Sequence, residues 1–129
     1  MEVRDLRVLK KFVLFIIGGG CYTALELLWR GWSHISMFLA GGGCFLLLGK
    51  IGSRKMPLYL RALSGAGAIT AVELLAGITA NRDYKVWDYR NTPMNFKGQI
   101  CLPFSLLWMP VGLVGMWLYK LLDRMLKSA

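Results

Sequence analysis

The 129-residue chain is long enough for one folded unit, and its 56% apolar content exceeds the roughly 45–50% usual for soluble domains. Its net charge is +9, yet the apolar residues collect in blocks with the charges lying between them. That segregation excludes an ordinary soluble domain and leaves no polar surface for a nucleic-acid site. Lys and Arg that flank apolar blocks act instead as topology determinants and as contacts to anionic lipid heads. Cys21, Cys44 and Cys101 are odd in number and form no CxxC pair, so neither a disulfide framework nor a zinc site is indicated.

In chain order, residues 1–11 form a charged head with Arg4, Arg7, Lys10 and Lys11. Helix one is expected at 12–29; it is read as retained, because Glu26 and Arg30 stand where a signal peptide would carry its small-residue cleavage site. Helix two, at 35–48, reaches across a bilayer only by adding 32–34 or 49–52. Helix three is expected at 60–80, an outer loop at 81–99 and helix four at 100–122. Pro110 should bend helix four near Leu106, whereas Pro103 lies near the helix start and costs little. Trp29, Trp32, Trp87 and Trp108 fall near the proposed boundaries, as an aromatic belt does.

Orientation follows from the 16 basic residues. Eleven lie in the head, in the segment between helices two and three (Lys50, Arg54, Lys55, Arg61) and in the tail (Lys120, Arg124, Lys127). Five lie on the other side: Arg30, Arg82, Lys85, Arg90 and Lys97. The bias puts both termini in the cytoplasm. The expected fold is therefore an all-α membrane protein, a single four-transmembrane-helix bundle over 1–129.

A shift of 47 residues aligns Thr23, Ala24, Glu26, Leu27 and Leu28 with Thr70, Ala71, Glu73, Leu74 and Leu75. Such a match suggests two parallel-repeated helical hairpins; chance similarity between two Gly/Ala/Leu-rich helices is the alternative. Small residues at Gly18, Gly20 and Ala24, and at Gly67 and Ala71, are expected to mark helix–helix contacts.

Glu26 and Glu73 are the sharpest chemical signals. A charged side chain at bilayer depth costs about 2.5–3.5 kcal/mol, so it normally faces a partner or a polar cavity. Thr23 and Thr70, one turn earlier, share their helix faces. Two readings stay open. In one, the glutamates and Arg30 and Arg82 form an ion-pair cluster that locks the hairpins. In the other, the glutamates bind or move a ligand or ion, and one of two converging carboxylates can carry a proton.

His34, the only histidine, is either an interfacial hydrogen-bonding anchor or part of that site. The loop residues Asp83, Tyr84, Trp87, Asp88, Tyr89, Arg90, Asn91, Asn95 and Gln99 form either a lid over the glutamates or an interfacial belt. No metal-ligand cluster or cofactor motif occurs. The run Gly43–Lys50 has the wrong spacing for a phosphate loop and lacks its Ser or Thr.

Four stretches carry a family resemblance: Gly20-Cys-Tyr-Thr-Ala-Leu-Glu-Leu-Leu-Trp-Arg-Gly-Trp-Ser-His34, Glu73-Leu-Leu-Ala-Gly77, Trp87-Asp-Tyr-Arg-Asn-Thr-Pro-Met-Asn95, and Gly98-Gln-Ile-Cys101 through Ser105-Leu-Leu-Trp108. In these the chain resembles the putative ABC-transporter type IV family of small membrane proteins, found in many bacteria. Glu26, Arg30, Trp32, His34, Glu73, Trp87, Asp88, Tyr89, Asn95 and Gln99 match motif positions, while Arg90 stands where the family has Ser. The resemblance implies a compact helical protein of a bacterial cytoplasmic membrane with a link to transport, and no catalytic residue.

The leading expectation is a transporter or channel-like protein with a glutamate-pair site, surrounded by lipid and either homo-oligomeric or bound to a partner membrane protein. An accessory or scaffolding subunit is the alternative. An intramembrane enzyme acting on a lipid-type substrate ranks third.

Overall fold

The computed structural model describes residues 2–128, with the side chains of Trp29, Arg30, Lys127 and Ser128 outside the described set. Its elements are α1 (Val3–Arg30), α2 (Ile35–Gly52), α3 (Leu58–Ala80), β1 (Asn95–Phe96), β2 (Ile100–Cys101) and α4 (Leu102–Ser128). All four helices are long and apolar enough to cross a membrane. The protein is a four-helix membrane bundle, as its charge segregation requires.

The boundaries have local causes. Residues 3–11 contain neither Pro nor Gly, so the charged head continues into the first turns of α1 rather than forming a separate segment. α1 stops at Gly31, which takes the left-handed conformation (φ 78°) while its N–H donates to Leu27 O at 2.9 Å. α2 starts where the His34 ring accepts the Ser36 N–H at 3.1 Å. It gains length through 49–52, and its 18 residues span about 27 Å. α4 starts two residues later than expected, because Ile100 and Cys101 pair antiparallel with Phe96 and Asn95. Pro103 then falls in the first helical turn, where a missing N–H has no partner to lose. α4 also runs past residue 122 to Ser128.

α1 packs chiefly on α2, and α3 on α4, while α2 also contacts both α3 and α4. α1 meets α4 only slightly and has no substantial contact with α3. The α1–α2 seam is built from glycines that receive rings. A Cβ at Gly18 would strike Phe45, and one at Gly42 would lie 2.8 Å from the Phe15 ring. One at Gly41 would lie 2.7 Å from the Tyr22 Cβ. On the other hairpin, a Cβ at Gly65 would lie 2.8 Å from Met116 Cε. Backbones approach closely at these points because nothing stands between them.

Of the small residues expected at contacts, only Gly18 is used; Gly20, Ala24, Gly67 and Ala71 are exposed. The contacts fall on Gly18, Gly19, Gly65 and Ala66, which rotate the buried face of each helix away from the expected one. Some positions related by the 47-residue shift share their burial, while others, such as Tyr22 and Ile69 or Leu25 and Val72, do not. Gly18 and Gly65 are buried, as are Gly19 and Ala66, while Ala24 and Ala71 are both exposed.

Leu48, Ile69 and Met116 form the central apolar cluster, joining α2, α3 and α4. At one end of the bundle Lys10 Nζ pairs with Asp123 Oδ1 at 2.7 Å, so the start of α1 and the end of α4 lie together. The segment joining α3 to α4 occupies the opposite end. That segment positions the candidate site.

Candidate functional site

The loop between α3 and α4 is organised by Asn81, which is fully buried. Its Nδ2 donates to Trp87 O at 2.6 Å and to Gln99 Oε1 at 2.9 Å. Its Oδ1 accepts the N–H groups of Val86 (2.8 Å) and Trp87 (3.2 Å). Gln99 Nε2 returns a bond to Asn81 O at 2.9 Å, and Trp87 Nε1 donates to Gln99 O at 2.9 Å. An apolar setting requires this closure, because an unpaired buried amide costs about 1–3 kcal/mol. The side-chain amides of Asn81 and Gln99 are thus paired within the loop.

This loop delivers Tyr89 to Glu73. The Tyr89 hydroxyl donates to Glu73 Oε2 at 2.8 Å, and the Trp108 indole N–H points at Oε1 from 3.4 Å. The Tyr89 ring stacks on Phe104 with centroids 5.0 Å apart and planes 22° apart, which fixes its position. Burial pushes the Tyr89 phenol above its ordinary 10.0, and the charge of Glu73 and the hydrogen bond to it push it further. Tyr89 therefore stays protonated and remains a donor. Among the described residues, no Lys or Arg lies within ion-pairing distance of Glu73.

Glu73 lines a cavity of about 210 Å³ formed between the four helices and the loop. The cavity is lined by Tyr22 and Leu25 of α1, Phe45 and Leu48 of α2, Val72 of α3 and Trp108 of α4. Trp87 covers it from the loop. Glu26 stands half-buried on α1, where its carboxylate interacts with the Tyr22 hydroxyl. Both Glu26 and Tyr22 lie within electrostatic reach of Glu73.

The other sequence candidates divide. Thr70 Oγ1 bonds Ser105 Oγ at 2.9 Å, tying α3 to α4 rather than serving Glu73. Thr23 Oγ1 is buried without a hydrogen-bond partner among the described residues. His34 is exposed and acts as the α2 cap. Asp88 is exposed and pairs with Arg90 at 2.8 Å; the Arg90 side chain and N–H hold its carboxyl below the usual aspartate value. Asn95 accepts the Gly98 N–H at 3.0 Å and donates to Thr92 O at 3.0 Å, which shapes the hairpin turn. Gln99 belongs to the Asn81 network. Arg82 donates to Ile78 O at 2.9 Å, closing the last turn of α3 instead of pairing with a glutamate. The Arg30 side chain lies outside the described residues.

Three contributors escape sequence reasoning. Trp108, expected at a membrane boundary, faces Glu73 from 35 residues away. Tyr22 carries a signal only in hindsight, one turn before Glu26 on the same face. Asn81 shows no periodicity or motif; a buried Asn where a helix ends is its only mark.

Four helices long and apolar enough to cross a membrane define a polytopic membrane protein, in which the Glu73 carboxylate accepts from two neutral donors. The chain belongs to the family described as "Putative ABC-transporter type IV", which matches over residues 12–129. No curated protein and no solved structure matches it.

Proposed function

We propose that this chain binds and moves a cationic or protonatable solute at a site built on Glu73, with Glu26 and Tyr22 completing its polar face. One observation carries the reading. Glu73 lines the cavity with two neutral donors and, among the described residues, no basic partner. A carboxylate kept in apolar surroundings for structure alone is normally paired, because an isolated buried charge is costly. Two neutral donors hold its oxygens in place and leave its charge to be matched by a proton or a cation. The family description supports a link to transport. The charge bias of the sequence supports cytoplasmic termini and an outward-facing Glu73.

The test is proton flux into proteoliposomes that hold a pH-sensitive dye. Glu73→Gln keeps the side-chain shape and should cut the flux about tenfold or more, with elution profile and melting temperature retained. Unchanged flux in a folded Glu73→Gln protein would remove the site.

An accessory role is the second reading. It is favoured by the lack of any nucleotide-binding motif in a chain whose family is described as ABC-type. A stable complex with a separate ATPase chain that survives Glu73→Gln would select it.

A further inference from the structure

We infer that the ligand is a hydrophobic organic cation, an apolar body bearing an ammonium group, taken laterally from the bilayer between α1 and α4. The inference rests on the Glu73 reading and names the chemistry of its occupant.

The path comes from the packing. α1 and α4 meet only slightly, and the cavity lies behind their seam. Leu25 of α1 and Val114 of α4 both line the cavity, yet they are 61% and 62% exposed, so the cavity reaches the lipid-facing surface there. A solute dissolved in the bilayer meets this opening without crossing the polar loop.

The head group follows from the ligand set. An inorganic cation needs about six oxygens around it. No group of three or more His, Cys, Asp or Glu able to hold a metal occurs among the described residues. The cavity walls are aliphatic and aromatic, and a hydrated ion would lose its water there with little to replace it. An organic ammonium needs no inner-sphere oxygens; a counter-charge and aromatic rings suffice. Glu73 supplies the charge, and Tyr22, Trp87 and Trp108 bring rings to the same cavity. A wholly apolar occupant, such as an acyl chain, would lay methylenes against the carboxylate and leave its charge unmatched. The volume sets a size. A cavity of about 150 Å³ holds benzene, so about 210 Å³ takes a ring and a few further heavy atoms.

The experiment uses the full chain in zwitterionic nanodiscs, with equilibrium dialysis corrected by empty discs. The probes are benzyltrimethylammonium, its neutral isostere neopentylbenzene, and tetramethylammonium, which is the head without the body. Benzyltrimethylammonium should bind about tenfold or more tightly than either of the others. Glu73→Gln should erase its advantage over the isostere, and Leu25→Trp, which fills the seam side of the cavity, should lower the amount bound about tenfold, unchanged binding overturning the entry between α1 and α4. Equal binding of ammonium and isostere would overturn the inference and leave only an apolar slot. Equal binding of tetramethylammonium would overturn the role of the apolar walls. Either result combined with Glu73-dependent proton flux removes the ligand class alone, whereas flux and binding both indifferent to Glu73→Gln remove the site as well.

Discussion

Asn81→Leu should unlock the loop that carries Tyr89 while leaving the helices folded. Leucine nearly matches the volume, so the change isolates polar contacts from packing. Four side-chain hydrogen bonds disappear: two donated, to Trp87 O and Gln99 Oε1, and two accepted, from the N–H groups of Val86 and Trp87. At about 0.5–1.5 kcal/mol each, these amount to roughly 2–6 kcal/mol. The Val86 N–H also loses its acceptor in a residue only 4% exposed, which keeps the loss in the upper half of that range. Hydrogen exchange reads this locally. The amides of Val86, Trp87 and Gln99 should lose protection by roughly a hundredfold or more, since about 1.4 kcal/mol is a factor of ten. Amides around Leu48 and Met116 should change little. Protection in the loop falling less than about fivefold would refute the view that Asn81 organises it.

Three further outcomes follow from other contacts of the fold. Tyr89→Phe keeps the stack on Phe104 but removes the donor to Glu73, and should lower stability by about 1–3 kcal/mol in thermal melts. Because the folded-state value of Tyr89 is raised above 10.0, its contribution is complete below pH 10 and is lost as pH rises beyond, where the unfolded chain ionises first. Tyr89→Phe should therefore flatten the alkaline limb of the stability profile, and an unchanged limb would count against the buried phenol.

Gly18→Ala should destabilise by about 1–3 kcal/mol through collision with Phe45, while Gly20→Ala and Gly67→Ala, which meet nothing within 4 Å, should be neutral or mildly stabilising. Destabilisation at Gly20 in a detergent titration would instead show that face to be covered by another chain. Lys10→Glu should cost about 1 kcal/mol, and the exchanged pair Lys10→Glu/Asp123→Lys should recover most of it in a double-mutant cycle.

The helices were legible because lipid enforces a simple rule: apolar runs of membrane length separated by Lys and Arg have few alternatives. The errors lay where tertiary contacts decide. The charged head joined α1 because no residue breaks the helix before Gly18. The start of α4 moved because two residues were drawn into a hairpin whose partner, Asn95–Phe96, shows no strand pattern of its own. Gly18 was placed correctly, but Gly20, Ala24, Gly67 and Ala71 were not, because spacing names a stripe without saying which way the helix is turned; Phe45 against Gly18 and Met116 against Gly65 settle that. The sequence marks Glu73 by its cost in lipid and names Tyr89 in the loop that could cover it, but it neither pairs the two nor brings Trp108, read as a boundary residue, to the carboxylate. His34, Asn95 and Gln99 looked chemical because polar residues near a membrane do, yet their bonds build the cap and the loop.

The ion pair between Lys10 and Asp123 has a mechanical side. It fastens two helices that share little else, and it does so at the end far from Glu73. Two rods pinned at one end separate as a wedge, so a small rotation at the pin becomes a larger gap along the lever arm. From Lys10 to Leu25 that arm is about 22 Å at 1.5 Å per residue, and a tilt of roughly 5° would open about 2 Å there. The clasp resists separation at Lys10 and Asp123, and at the Leu25 end the packing of α1 on α2 is what holds the helix in place.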